Sequence, residues 1–501
     1  MEQTDRTHLK ATLKARAICV VIPTYNHGAT IGRVVNDVLQ YCDDVIVVND
    51  GSTDQTSQTL HQFDGITLIE YDVNRGKGYA LKQGFRKALS MGFAYAITLD
   101  SDGQHFASDI PLFLRANQQH PGALIVGARQ MAHVDRSKGS AFANRFSNFW
   151  FYVQTGCRLD DTQTGYRLYP LKKLRWLALV TSRYEAELAL MVFASWHGVD
   201  LQSIPVNVYY PPRHERVSHF RPGWDFARIS LLNTVLCLLA VVFGLPLRLG
   251  RWLMQVGRTL FALLFFSVLM FLVITPVSWV YVKTGRMTDH KRDRLRRLIC
   301  RFSRWVMLRA GIPGTTFTYK VSEDVTFDQP RVIVCNHQSH LDLMCQLIFT
   351  PNMIFLTNDW VWNNPFYGFL IRAAEYYPTH EGVDQLLPKL KNLAERGCSI
   401  AVFPEGTRSA DCSIGRFHQG AFYIADQLGL DVLPMCLYGP GRVLPKKSHL
   451  LRPSPIYIEV GSPVSLQTLR SIGGYRAQAS WLRRRYQEEY ERISNQIEQY
   501  V

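Results

Sequence analysis

The chain has 501 residues, 47% of them hydrophobic, with a formal net charge of +15. Roughly two to four domains fit that length, and each half is long enough for a core of its own. The charge calls for an anionic partner; with no RNA- or DNA-binding motif, a membrane surface is expected and nucleic acid is not.

Residues 1–14 are polar and form no secretory signal, so the first domain is expected in the cytoplasm. Residues 17–23 (AICVVIP) are a short, β-branched apolar run that predicts a buried parallel strand. Residues 31–41 have helical spacing, and 45–48, 66–71 and 94–99 predict further strands. This alternation predicts an α/β domain with a parallel sheet, whose ligands bind at strand carboxyl ends. Two polar clusters stand there. Asp50, before Gly51 and Ser52, reads as a turn cap or as a site residue. Asp100-Ser101-Asp102 follows the strand AYAITL; two such carboxylates can share a hard divalent cation that also holds a diphosphate.

Taken together, IPTYN, VVNDGSTD, NRGKGYAL and LDSDGQH resemble the family 2 glycosyltransferases of GT-A fold, above all the polyprenyl-phosphate sugar synthases. The resemblance covers about residues 17–225. It implies that Pro23, Tyr25 and Asp50 hold the nucleotide of a nucleotide-sugar, with Lys77 facing it or lying on a solvated turn. It implies Mg2+ or Mn2+ on Asp100, Asp102 and Gln104. The segment DDTQTGYR matches the acceptor side, where Arg167 is expected. Inverting transfer needs a base there; Asp161 is the candidate, with Asp160 and Glu187 as alternatives. Arg213, Arg216, Ser218 and His219 form a polar loop suited to phosphate oxygens or to a basic membrane flank; Arg216 is taken for the acceptor.

Residues 229–247 and 259–282 are apolar runs without a charged side chain, each long enough to cross about 30 Å of hydrocarbon. Arg248, Arg251 and Arg258 lie between them. A membrane hairpin over 226–285 is expected, although three arginines at its tip oppose the positive-inside tendency. Two buried helices of a soluble domain are the alternative. In the basic segment 283–309, Leu295, Leu298, Ile299, Phe302, Trp305 and Val306 recur at helical spacing opposite arginines, which predicts a helix in the headgroup plane. Ten scattered cysteines with no CxxC pair suit reduced thiols.

Residues 331–335 predict a strand, followed by NHQSHLD and a helix from Leu341. Ser339 and Asp342 fit a capping box, which leaves His337 unexplained. A His on the turn before such a helix can take a proton from a hydroxyl, with the carboxylate orienting its ring. About 65 residues on, FPEGTRS follows the strand SIAVF. This pair of motifs resembles the glycerolipid acyltransferases related to lysophosphatidic-acid acyltransferase, over about residues 301–464; FHQGA and VLP add later segments. The resemblance implies His337 as base, Asp342 as its partner, and Glu405, Gly406, Thr407 and Arg408 at the acceptor. The donor would be acyl-CoA or acyl-carrier protein, with no cofactor in this half. One segment departs from the family: EYYPTHEG lacks a phosphate-binding Arg, which favours an acceptor other than a glycerol phosphate. Residues 480–500 predict a charged amphipathic helix with no chemical signal.

The expected organisation is a glycosyltransferase domain over 15–225, a membrane hairpin over 226–285 and an α/β acyltransferase domain over 286–501. The expected function is a bifunctional enzyme of glycolipid synthesis at a bacterial-type inner membrane, both domains cytoplasmic, acting on a lipid acceptor. The alternatives are one working half beside an idle one, and a non-enzymatic scaffold, which has no need of His337 or Asp102.

Overall fold

The computed structural model describes residues 3–130, 138–175, 185–209 and 222–500. The polar loop with Arg213, Arg216, Ser218 and His219 lies outside them. Two compact units divide the chain, residues 1–251 and 252–501.

The first unit is built on seven strands: β1 Ile18–Thr24, β2 Val45–Asp50, β3 Ile66–Tyr71, β4 Tyr95–Thr98, β5 Leu124–Arg129, β6 Arg167–Pro170 and β7 Leu201–Val206. Their order is β3-β2-β1-β4-β6-β5-β7, parallel except for β6, which runs antiparallel to β4 and β5. The continuous apolar runs have a plain cause: both faces of the sheet are covered. Ile18, Val20 and Ile22 of β1 pack with Val34, Val38 and Phe113 on one face, while Cys19 and Val21 meet Ala80, Leu81 and Phe85 on the other. The chain steps outward from β1 to β3 and then returns to β1's other side with β4. This switch point opens a crevice beyond the carboxyl ends of β1, β2 and β4.

The second unit has β8 Phe317–Val321, β9 Val332–Cys335, β10 Met353–Thr357, β11 Tyr377–Pro378, β12 Ser399–Val402, β13 Val432–Tyr438 and β14 Ile456–Val460. Their order is β11-β10-β12-β9-β13-β14-β8, parallel except for the β13–β14 pair. β9 lies directly beside β12. The two motifs that follow these strands are therefore neighbours in space although far apart in sequence.

The segment between the sheets corrects the expected hairpin. Helical backbone runs through Pro222–Leu239, Ala240–Gly244, Leu245–Val268, Leu269–Ile274 and Thr275–Lys283, two of these segments being π-helical. The expected turn falls inside Leu245–Val268. Its residues explain this: Arg, Leu, Trp, Met and Gln are good or neutral helix formers, and Pro246 follows directly on the π-helical segment Ala240–Gly244, where the regular hydrogen-bond ladder is already interrupted. The stretch Ala227–Lys283 is one helix of 57 residues, long and apolar enough to cross a membrane. Leu238, Val242, Leu264 and Leu272 are among its exposed side chains.

The basic helix Asp289–Trp305 also departs from expectation. Leu295, Arg296, Cys300 and Ser303 are buried, whereas Leu298 and Trp305 are exposed beside the arginines. Arg296 is tolerated inside because Asp293 and Glu375 (2.9 Å) pair with it. All ten cysteines are free, as their scatter suggested.

Candidate active sites

In the first unit three strand-end loops are laced together. Asn26 N donates to Ser52 Oγ at 2.9 Å, Thr53 N to Asn26 Oδ1 at 2.8 Å, and Thr30 Oγ1 to Ser101 O at 2.7 Å. Pro23 is buried in β1 in register with Val48, and Tyr25 opens the loop beyond. Gly51 has φ +70°, and a Cβ there would stand 2.5 Å from Asn74 N, so the turn admits only glycine. Asp50 is buried and accepts from the backbone of Arg75 (2.9 Å) and Gly76 (2.7 Å). Burial raises its pKa and these donors oppose the rise. Asp50 thus fixes the loop that delivers Lys77.

Lys77 does not lie on a solvated turn. Its Nζ is 2.6 Å from Asp100 Oδ1 and 2.9 Å from Glu187 Oε2. Burial works against its charge, but the two carboxylates outweigh it and raise the pKa. Burial likewise pushes Asp100 up, and Lys77 brings it below the ordinary range. Asp102 has no such partner. Burial and then the charge of Asp100 push it up to about 6, while the Gln104 N–H at 3.0 Å pulls the other way. Gly165 backs onto Asp100: a Cβ would come within 2.3 Å of its carboxylate. His105, three residues past Asp102, is held near pKa 4 mainly by burial, and its Nδ1 is buried without a hydrogen bond.

Two residues expected on the acceptor side are buried. Asp161 is 1% exposed and takes Arg129 Nε at 2.5 Å, Arg129 Nη2 at 3.0 Å and Gln163 N at 3.1 Å. Arg167, also 1% exposed, donates to Tyr169 Oη, the Glu187 carbonyl and the Thr162 carbonyl. It is a buried strut beside Glu187. Of the three candidate bases, Glu187 is held by Lys77, Asp161 by Arg129, and Asp160 is exposed.

In the second unit Asp342 is fully buried. Its Oδ2 accepts from His337 Nδ1 (2.8 Å) and from the backbone of Gln338 (2.7 Å) and Ser339 (2.9 Å). Half of a capping box is therefore present. The other half is not, since Ser339 Oγ donates to Leu444 O. A carboxylate on Nδ1 places the proton there and leaves Nε2 as the basic atom. Phe403 stacks under the His337 ring, centroids 4.1 Å apart. Glu405 is buried and locks the motifs together: Oε1 accepts from His337 N and Oε2 from Gly415 N, each at 2.9 Å. Burial raises its pKa against these donors. Glu405 thus serves the loop, while Gly406 and Thr407 are exposed and Arg408 is partly so. The pKa of His340 is lowered by desolvation and then by the charge of Arg408. Where the resemblance calls for an Arg, β11 runs into His380, paired with Asp359 on the surface. Glu375 just before is consumed by Arg296 and Arg396.

A GT-A-like crevice with paired carboxylates and a hydrogen-bonded His–Asp pair define a two-domain transferase. Residues 19–166 match the family model described as Glycosyl transferase family 2, and residues 316–438 the one described as Acyltransferase. The chain thus joins a family 2 glycosyltransferase domain to an acyltransferase domain. It is 25% identical over 218 residues to the UDP-N-acetylglucosamine–dolichyl-phosphate N-acetylglucosaminyltransferase of Methanococcus voltae, covering 39% of this chain and 86% of that one. It is 32% identical over 143 residues to the chloroplastic 1-acyl-sn-glycerol-3-phosphate acyltransferase of Arabidopsis thaliana, 27% of this chain and 40% of that relative's length. A solved complex of glucosyl-3-phosphoglycerate synthase from Mycobacterium tuberculosis with Mn2+, UDP-glucose and phosphoglyceric acid aligns at TM-score 0.36 and 20% identity, over 47% of this chain and 83% of that one.

Proposed function

We propose that this is a bifunctional membrane enzyme of glycolipid synthesis. The first unit moves a sugar from a nucleotide-sugar to a lipid-linked acceptor. The second moves an acyl group from acyl-CoA or acyl-carrier protein to a lipid hydroxyl. The observation that carries this reading is that each unit keeps its reacting groups together at strand carboxyl ends: Asp100, Asp102 and Lys77 in one, His337 and Asp342 in the other.

In the sugar-transfer half, Asp100, Asp102 and Gln104 would hold Mg2+ or Mn2+, which stabilises a departing diphosphate. The residues fit such a cation. Asp102 is pushed up by burial and then by the charge of Asp100, and His105 Nδ1 is buried with no hydrogen-bond partner among the described residues. Among the described residues no group of three or more His, Cys, Asp or Glu forms a metal cage, so donor oxygens would complete the shell. Pro23, Tyr25 and Asp50 frame the nucleotide, and Lys77 is a cation within reach of its phosphates. Asp160, the exposed carboxylate of the acceptor segment, takes the proton of the attacking group.

In the acyl-transfer half, His337 Nε2 removes the proton from the acceptor hydroxyl as its oxygen attacks the thioester carbonyl. Asp342 stabilises the resulting imidazolium, which returns the proton to the departing thiolate. Thr407 and Arg408 hold the acceptor. With His380 and Asp359 where a phosphate-binding Arg is expected, that acceptor carries its hydroxyl on something other than a simple glycerol phosphate, and a glycolipid fits. The helix Ala227–Lys283 attaches the enzyme to a bacterial-type inner membrane, with both units in the cytoplasm, where nucleotide-sugars and acyl thioesters are made.

The test is transfer by the detergent-purified full chain, combined with lipid mass spectrometry of cells carrying Asp102→Asn or His337→Ala. Asp102→Asn should lose sugar transfer alone. His337→Ala should lose acyl transfer and accumulate a glycosylated, under-acylated lipid. Native chain that moves neither group, or variants that leave the lipid profile unchanged, would overturn the reading.

A further inference from the structure

The helix Tyr475–Tyr500 closes the second unit, and two of its side chains lead to His337 by separate routes. The first route is through the sheet. β9 and β13 pair in parallel from Val332↔Val432 to Cys335↔Met435. At the rung before the strand end, Met435 N donates to the phenolic oxygen of Tyr486 at 2.9 Å, and that hydroxyl donates to Val334 O at 2.6 Å. One hydroxyl thus ties both strands together. Beyond it the tie is the side chain of Asn336: Nδ2 donates to Leu437 O at 2.9 Å and Oδ1 accepts from Leu437 N at 2.7 Å. The next residue is His337. Tyr486 is 3% exposed, and burial keeps its phenol protonated and able to donate. Its ring meets Phe417 edge-on, centroids 5.2 Å apart.

The second route is through the facing loop. Arg483 Nε donates to Gly415 O at 2.8 Å. Gly415 N donates to Glu405, whose other oxygen takes the His337 N–H. Arg483 and Tyr486 stand three apart on one helix face and grip the histidine's backbone from the loop side and the strand side.

We propose that Tyr486 and Arg483 are positioning residues for His337, so that the C-terminal helix sets the geometry of acyl transfer without touching substrate. The proposal rests on the acyl-transfer reading of His337. Losing either tie leaves both sheet and core in place but lets the histidine drift, and a misplacement of about 1 Å is enough to cost roughly a hundredfold in rate.

The experiment uses the full chain in detergent, native and as Tyr486→Phe, Arg483→Met and both together, with Tyr475→Phe as a control hydroxyl deletion on the same helix. Tyr486→Phe should lower kcat for acyl transfer by about ten- to a hundredfold. KM for the acyl thioester and the melting temperature should stay near native, the signature of a group needed only in the transition state. Hydrogen exchange should quicken at the Leu437 amide in Tyr486→Phe and not in Tyr475→Phe. The double variant should lose less than the product of the single losses, since both ties hold one residue. An unchanged kcat, or a loss that tracks melting temperature, would overturn the proposal. If native chain transfers no acyl group, it is the acyl-transfer reading that fails. The positioning claim then stands or falls on the exchange at Leu437.

Discussion

Asp102 should make the proposed sugar transfer sensitive to acid. Burial and then the charge of Asp100 push its carboxyl up to about 6. A divalent cation needs the ionised form, so affinity should rise as pH climbs through about 6 and fall below it. Calorimetric titration of Mn2+ with a nucleoside diphosphate present, from pH 5 to 8, checks this; equal affinity across the range would refute it. The acceptor segment gives a second test. Asp160→Asn should cut kcat for sugar transfer by about 100- to 10 000-fold and leave the fold intact, as removal of a general base does. Asp161→Asn should instead lower the melting temperature, because breaking a buried ion pair costs about 3–5 kcal/mol. Reversed outcomes would make Asp161 the base. The hydrogen bond between His337 and Asp342 was legible in the sequence, because a His on the turn before a helix can reach a carboxylate in that helix's first turn. Arg167 was not, because nothing in GYR tells whether the arginine enters the cleft or the core. That depends on the partners the fold brings to it, Tyr169 Oη and the Glu187 and Thr162 carbonyls.

At the scale of elements, the predicted strands match β1–β4, β9 and β12 to within a residue or two, since two-sided burial demands short continuous apolar runs with turns between, whereas β5–β8, β10, β11, β13 and β14 were not read from the sequence. The central helix was legible as apolar but not as unbroken. Three arginines between two runs suggested a turn, yet Pro246, Gly250 and Gly257 are all taken up in helical backbone. Part of its first run has work to do in the first unit. Leu236 is 1% exposed, Gln154 Nε2 donates to Asn233 Oδ1 at 2.9 Å, and Arg251 donates to the Trp196 carbonyl. A truncation at residue 225 should therefore be less stable than one at 251, by about 2–5 kcal/mol for the lost leucine alone. Chemical denaturation of the two pieces compares them directly, and equal midpoints would show that the helix adds nothing. The C-terminal helix gave no chemical signal in sequence because a tyrosine that ties two strands looks like any other core aromatic. Its only trace is the run Leu482, Tyr486, Tyr490, Ile493 at helical spacing.

For the whole molecule, the proposed substrates decide the topology. Nucleotide-sugars and acyl thioesters are both cytoplasmic, so tags at residue 1 and residue 501 should be digested by protease from the cytoplasmic side only. Protection of one tag would mean an odd number of crossings and defeat the shared-compartment proposal. The helix Ala227–Lys283, at about 1.5 Å per residue, is more than twice as long as the roughly 30 Å of hydrocarbon. An unbroken helix cannot cross once and leave both units in the cytoplasm, so under the proposal it lies along the interface and not upright through the bilayer.

The order of the strands along the chain has a consequence on the ribosome. β7 ends at Val206, before the first apolar run begins, so every strand of the first sheet leaves the exit tunnel early. At about 5–20 residues per second, the rest of the chain takes tens of seconds to make, while domains of this kind close in milliseconds to seconds. The sugar-transfer sheet can thus be finished before the acyl-transfer half exists. A premature stop after the central helix should still leave a folded first unit, already attached to the membrane, and defects in the two activities should be separable by where translation ends.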